Sequence, residues 1–387
     1  MEFSDFLQPL DDRFGQEYPK QVLGHVIRKF TDANRFPDIS GCDIAILGAG
    51  EERGAVNNDG CALAPDAVRE KLYALHTSAS PYRVVDLGNL RPGATLNDSY
   101  TAIAEIIIAL LKENVLPVII GGSQDITYAQ YIAYQKMEET VNIVAVDSAF
   151  DLGTTGQPIN SNSYLGKIVL HEPNYLFNFS NIGYQTYFVG YEQIELMGRL
   201  FFDAYRLGQV RSDLEEVEPI VRNADILSFD MTAVRQSDAP GNGNASPNGF
   251  YGEEACRIIR YAGMSDKLTS VGIYEINPSL DNRNQTSHLA AQMIWYLLDG
   301  YYNRKKDVPL KNKAGFIRYR VAIPRNEQEI VFYKSNRSER WWMEVPFNTE
   351  KIRYQRHHLI PCSYKDYETA LREEMPERWW QAFQKIS

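Results

Sequence analysis

Short apolar runs bounded by polar residues recur along most of the chain, at residues 43–48, 83–88, 116–120, 144–147, 187–191, 226–230 and 270–275. They are rich in valine and isoleucine and largely lack the period-two alternation of a half-exposed strand, so they read as strands buried on both faces. Between them lie stretches of helical periodicity over 22–30, 65–73, 97–112, 125–137, 251–261 and 287–302, and another from 191 to about 207. Strands alternating with helices predict a three-layer αβα architecture around a mostly parallel, doubly wound sheet with right-handed crossovers. Residues 1–20 are polar with scattered aromatics and read as an arm packed on the body. The pattern changes after residue 306. Gly315–Ile323 alternates at period two and Glu329–Lys334 does so in part, which with Trp341–Val345 predicts a small antiparallel appendage. Residues 363–386 read as one closing helix carrying Trp379 and Trp380. The expected division is 1–305 for the α/β domain and 306–387 for an appendage packed on it.

The apolar runs end in oxygen-bearing side chains. Val144-Ala-Val closes with Asp147 and, four residues on, Asp151; Val118-Ile-Ile-Gly-Gly leads to Ser123, Gln124 and Asp125; Ile226-Leu-Ser-Phe closes with Asp230 and Thr232. Ligands of doubly wound folds collect at the carboxyl ends of the strands. Three such ends delivering carboxylates and an amide predict one shared site, and oxygen donors suit hard cations.

These three stretches resemble, in order and spacing, the metal motifs of the ureohydrolases (arginase, agmatinase, formimidoylglutamase), written Gly-Gly-Asp-His-Ser, Asp-Ala-His-x-Asp and Ser-x-Asp-x-Asp-x-x-Asp-Pro. Gly60–Arg69, Asp86-Leu-Gly-Asn89 and Tyr274-Glu275-Ile-Asn277-Pro278 resemble further segments of that family, over roughly residues 20–305. The resemblance implies an arginase-like fold and a dimanganese site, but the donor set departs from it. The family's first histidine falls at Gln124 or its neighbour Ser123, the second at Ala149, the second aspartate of the third motif at Thr232, and the proton-shuttling histidine near Leu165. One metal position would keep Asp147, Asp151 and Asp230 with Gln124 in place of an imidazole. The other would keep only Asp147 and Asp230. A hydrolase of this type uses both ions to make its nucleophile near neutral pH.

The missing donors favour the first of two readings. The first is a ureohydrolase-family protein with a degenerate site, catalytically inactive, acting by binding or assembly; it expects no cofactor, and self-association or a protein partner engaged through 306–387. The second is a metal-dependent hydrolase of C–N bonds in a guanidino or formimidoyl compound. It would use one Mn2+ (or Mg2+) on Asp147, Asp151, Asp230 and Gln124, with Asp151 and Glu275 as the catalytic carboxylates. Without metal, the aspartates need a proton or a cation, and Arg235 is the candidate counter-charge.

Composition narrows the rest. A net charge of −10 and a pI near 5.3 exclude a general nucleic-acid binder. The basic group Arg353, Arg356, His357 and His358 reads as a solvated face, and His288 as a packed or capped helix residue. Four scattered cysteines without a Cys-x-x-Cys pair read as reduced, buried thiols of a cytoplasmic protein. No apolar stretch is long enough for a membrane span and no secretion signal is visible. The Gly48-Ala-Gly50 loop resembles a dinucleotide loop only superficially, because Glu51 and Glu52 would repel a pyrophosphate.

Overall fold

The computed structural model describes residues 3–154, 156–309, 313–323, 328–346 and 356–386. Two short strands come first, β1 (Leu7–Gln8) and β2 (Arg28–Lys29), followed by β3 (Ile44–Ala49), β4 (Val84–Leu90), β5 (Leu116–Gly121), β6 (Val141–Val146), β7 (Leu176–Tyr184), β8 (Asp203–Arg206), β9 (Ile226–Asp230) and β10 (Ser270–Tyr274). They form one ten-stranded sheet in the order β1-β4-β3-β5-β10-β9-β6-β7-β8, with β2 also on β4, and every pairing is parallel except β1 with β4. Successive strand residues feed opposite cores. Ile44, Ile46 and Val118 pack with the helices Ala64–Leu72, Gly252–Gly263 and Gln285–Tyr302, whereas Ala45, Leu47 and Ile119 pack with Leu96–Lys112 and Ile126–Lys136. A strand with a helix layer on each side needs apolar residues at every position, so the runs do not alternate.

Strand order is what builds the site. β5, β10, β9 and β6 are consecutive neighbours at the centre of the sheet, so the residues leaving their carboxyl ends converge. Gly122 carries the turn after β5; a Cβ there would lie 2.0 Å from the Glu51 carbonyl oxygen, so only glycine permits this approach.

The remaining strands β11 (Phe316–Ile323), β12 (Gln328–Ser335), β13 (Trp341–Glu344) and β14 (Leu359–Cys362) form a separate antiparallel meander. Its core of Ile330, Phe332, Met343 and Ile360 is closed by the helix Glu377–Ile386, whose Trp379 is fully buried and donates Nε1 to the Glu344 carbonyl at 2.9 Å.

Several expectations need correction. The predicted helix 22–30 is a single turn, Leu23–Val26, followed by β2. Residues 187–191 are not a strand: they form a turn after β7 that leads into the helix Tyr191–Arg199, with Tyr187 and Phe188 exposed. The predicted closing helix is two, Tyr364–Leu371 and Glu377–Ile386. Pro376 lacks the N–H that continuing the first would require, and Glu373 takes a left-handed φ of 63°. His357 is buried and stacks on Phe177 at 3.9 Å, so it is not on a solvated face, while Arg353 lies outside the described residues. His288 is exposed rather than packed. Arg235 pairs with Asp238 at 2.9 Å and lies over the Tyr251 ring, and supplies no charge to the aspartates. The four cysteines are buried and free, as expected, and no helix among the described residues is long and apolar enough to cross a membrane.

Candidate metal centre

Two strand ends, those of β6 and β9, deliver Asp147, Asp151 and Asp230, and one carboxylate oxygen from each lies within 4.8 Å of the other two. All three side chains are at most 9 % exposed. Asp147 follows β6 directly, and its Oδ1 accepts from the Ala149 N–H at 2.9 Å; Asp230 closes β9, and its Oδ1 accepts from the Thr232 N–H at 2.6 Å. Each aspartate thus spends one oxygen on the turn that ends its own strand and leaves the other for the centre. Asp151 reaches the cluster through a left-handed backbone, φ 51°, and Glu275 has φ 64°. Non-glycine residues in that region cost free energy, and such strain concentrates at functional sites.

The neighbours are held from distant parts of the chain. Gln124 donates Nε2 to Tyr164 Oη at 3.3 Å and to Ser228 Oγ at 3.4 Å, which leaves its buried Oε1 without a hydrogen-bond partner. Glu275 is fixed at both oxygens: Oε1 accepts from the Gln124 backbone N–H at 2.8 Å and Oε2 from Asn58 Nδ2 at 2.7 Å. Asn242 donates to the Glu275 carbonyl at 2.7 Å. Asp125, beside Gln124, turns away to accept from the Tyr100 hydroxyl.

Electrostatics follow from burial without a balancing cation. No lysine or arginine among the described residues is within ion-pair distance of Asp147, Asp151, Asp230 or Glu275. Burial raises the proton affinity of Asp147, and burial together with the neighbouring negative charges raises Asp151 and Asp230 well above the usual carboxylate range. Glu275 is pushed up to about 7, chiefly by burial. The cluster therefore holds protons near neutrality unless a cation displaces them. With the carboxylates ionised, Asp147 Oδ2 and Gln124 Oε1 are both buried acceptors that receive no hydrogen bond, and buried acceptors are rarely left so. Two unpaired oxygens beside two further carboxylates fit a hard divalent ion.

The expected site residues separate into two groups. Asp147, Asp151, Asp230, Gln124 and Glu275 meet. Ser123 turns its hydroxyl to the Glu51 carbonyl at 3.2 Å, and Leu165 is fully buried with its N–H on the Asp151 carbonyl at 3.1 Å. Ala149 and Thr232 line the mouth of the centre, where Thr232 Oγ1 accepts from Ser148 Oγ at 3.3 Å. The supporting groups Tyr164, Asn58 and Asn242 escaped the sequence reading, since no local spacing marks them, whereas Ser228 opens the third motif but was given no role there. A cavity of about 420 Å³ opens above the carboxylates and is walled by Ser161, Asn162, Phe188, Gln193 and Asn244.

A parallel sheet covered by helices on both faces, with a buried carboxylate cluster at its carboxyl edge, defines a doubly wound α/β protein with its candidate site at the strand ends. The chain belongs to the arginase family, whose model matches residues 42–299. It is similar to a formimidoylglutamase of Staphylococcus haemolyticus, 26 % identical over 293 residues that cover 72 % of this chain and 94 % of the relative. It is similar also to the Bacillus subtilis formimidoylglutamase, 26 % identical over 281 residues, 66 % of this chain and 86 % of that one. Among solved structures it resembles the Trypanosoma cruzi formiminoglutamase with Mn2+ (TM-score 0.63, 20 % identity, covering 68 % of this chain and 94 % of the other). The Bacillus subtilis formimidoylglutamase structure is equally close in fold (TM-score 0.63, 21 % identity, covering 76 % and 98 %).

Proposed function

We propose that this chain hydrolyses a C–N bond of a linear amidine of the formimidoyl class, using one divalent cation where relatives such as the Trypanosoma cruzi protein are described with Mn2+. The observation that carries the reading is the pair of unpaired buried acceptors, Gln124 Oε1 and Asp147 Oδ2, beside Asp151 and Asp230. Those four residues would hold the ion. When bound, it supplies Lewis-acid chemistry, acidifying water and polarising the amidine carbon. Everything else falls to the protein. Glu275, locked by Asn58 and the Gln124 N–H, presents fixed negative charge to the cationic amidine nitrogen. Its proton affinity near neutrality lets it take a proton and return it to the departing amine. Ser161, Asn162 and Asn244 offer neutral hydrogen-bonding groups at the mouth, suited to orienting the acid end of such a substrate.

Binding or assembly without turnover is the second reading, and Ala149 and Thr232 favour it, because together they bring only a neutral hydroxyl to the other metal position. The relatives' named activity supports hydrolysis over it. Metal-depleted protein reconstituted with Mn2+ and incubated with formimidoylglutamate, agmatine or arginine separates the two. Hydrolysis predicts amine release on formimidoylglutamate that follows metal loading and is lost in Glu275→Gln. Metal uptake without amine release from any of the three supports the second reading.

A further inference from the structure

At the amino ends of the strands, across the sheet from the carboxylates, lies a cavity of about 890 Å³ between the parallel sheet and the C-terminal meander. The residues just before β3, β4, β9 and β10 (Asp43, Arg83, Asn223 and Lys267) line one side, and Arg340 and Trp342 of the meander line the other. Its wall carries seven basic against three acidic side chains. Three carboxylates behind the wall narrow the balance to seven against six: Glu139 lies 3.3 Å from Arg356, and Glu218 and Asp225 are each shared by two cations. Glu218 pairs with Arg222 at 3.1 Å and Arg340 at 2.9 Å, and Asp225 pairs with Arg356 and, at 3.8 Å, with Lys267.

Arg222 is 4 % exposed. Its Nε serves Glu218 and its Nη2 the carbonyls of Trp341 and Cys362 at 3.0 and 3.1 Å, and its guanidinium lies 4.4 Å over the Trp342 ring, but Nη1 has no hydrogen-bond partner. A buried guanidinium donor without an acceptor costs free energy comparable to a lost charged hydrogen bond. Lys267 makes one short contact, to Asn223 Oδ1 at 2.8 Å, and burial brings it down to about 8 against the pull of Asp225. Apolar and aromatic surface from Tyr302, Trp342, Leu359 and Pro361 completes the enclosure, and the volume is in the range of small-molecule sites.

We propose that this cavity binds a small organic oxyanion, a carboxylate or a phosphate ester. Its head meets Arg222 and Lys267 and its apolar body lies against Trp342 and Leu359. The site is separate from the carboxylate centre and depends on the meander for about a quarter of its wall. An anion here would join the two sheets, so occupancy would also stabilise their packing.

The test is calorimetric titration of the full chain with phenyl phosphate and with benzoate, each repeated in the presence of inorganic phosphate. Saturable binding of one molecule per chain is expected, with phosphate competing for the head position. The tighter of the two aromatic ligands identifies the head group. Lys267→Met removes a buried cation and should weaken binding about tenfold or more, the worth of one charge-assisted contact. Lys306→Glu, at the exposed rim, should weaken it about fivefold without touching the fold, by reversing one nearby charge. Asp147→Asn should leave it unchanged. No binding of either ligand at about 10 mM, well above typical metabolite-site affinities, would overturn the proposal. So would binding that survives both lysine substitutions or disappears in Asp147→Asn.

Discussion

Replacing Asp151 by asparagine should stabilise the protein without metal and weaken it with metal. Two ionised carboxylates no more than 4.8 Å apart repel by at least about 3.5 kcal/mol at an effective dielectric of about 20. Protonation caps that cost: holding an aspartate neutral at pH 7 against an unfolded pKa near 3.9 costs at most about 4 kcal/mol. Asparagine removes the charge, keeps nearly the same volume, and tolerates the left-handed φ of 51° better than most residues. The metal-free variant should therefore gain about 2–3 kcal/mol at pH 7, within that cap. For a chain of 387 residues this amounts to a rise in melting temperature of roughly 2–4 °C. Mn2+ at a hundred times its dissociation constant adds about 2.7 kcal/mol to the unsubstituted protein and should add much less to the variant. Thermal melts in chelator and in Mn2+ measure both effects. A metal-free variant more than about 1 kcal/mol less stable than its parent would refute the reasoning, since ordinary loss of a satisfied buried group has that sign and size.

His357 sets an acid limit on the C-terminal meander. Its imidazole is buried on Phe177 with nearby cations, which holds it well below its usual pKa, whereas the unfolded chain binds a proton below about 6.5. Stability attributable to it is complete above pH 6.5 and falls as pH drops below that value, by up to about 1.4 kcal/mol per unit; urea melts between pH 5 and 7 should show this slope, and His357→Phe should flatten it. Introducing Ala149→His with Thr232→Asp supplies donors at the mouth of the centre, and elemental analysis should find the metal content rise from one to two per chain. Gly122→Ala forces a Cβ against the Glu51 carbonyl and should lower stability by about 1–3 kcal/mol as overpacking, read from a denaturant midpoint, while moving the Gln124 turn enough to weaken Mn2+.

The sequence carried the α/β order and the central strands because their burial on both faces writes uninterrupted apolar runs. It carried the aspartates because a carboxylate at the end of such a run has few other uses. β7 was illegible for the opposite reason. Asn178, Ser180 and Asn181 interrupt its apolar character, and in the structure Asn178 and Ser180 reach across to Asp203 of β8 at 2.8 Å, while Asn181 holds the Ala149 carbonyl. The more apolar 187–191 drew the strand assignment and proved to be an exposed turn. Gln124 was legible as a replaced donor, but its orientation depends on Tyr164 and Ser228, which lie 40 and 104 residues away. The same holds for His357, whose burial depends on Phe177, a residue with no local relation to it. The preference for an inactive protein came from counting missing imidazoles. A donor count cannot register that two of the remaining buried oxygens, on Gln124 and Asp147, lack a hydrogen-bond partner, and the relatives' named activity moves the reading toward one working ion.

The most direct measurement is metal content and turnover on one sample: elemental analysis of protein reconstituted with Mn2+ and dialysed, alongside glutamate release from formimidoylglutamate. The account predicts one Mn2+ per chain, with glutamate release that disappears together with the metal in Asp147→Asn. Protein that retains no metal, or that releases glutamate equally well after chelation, would contradict it.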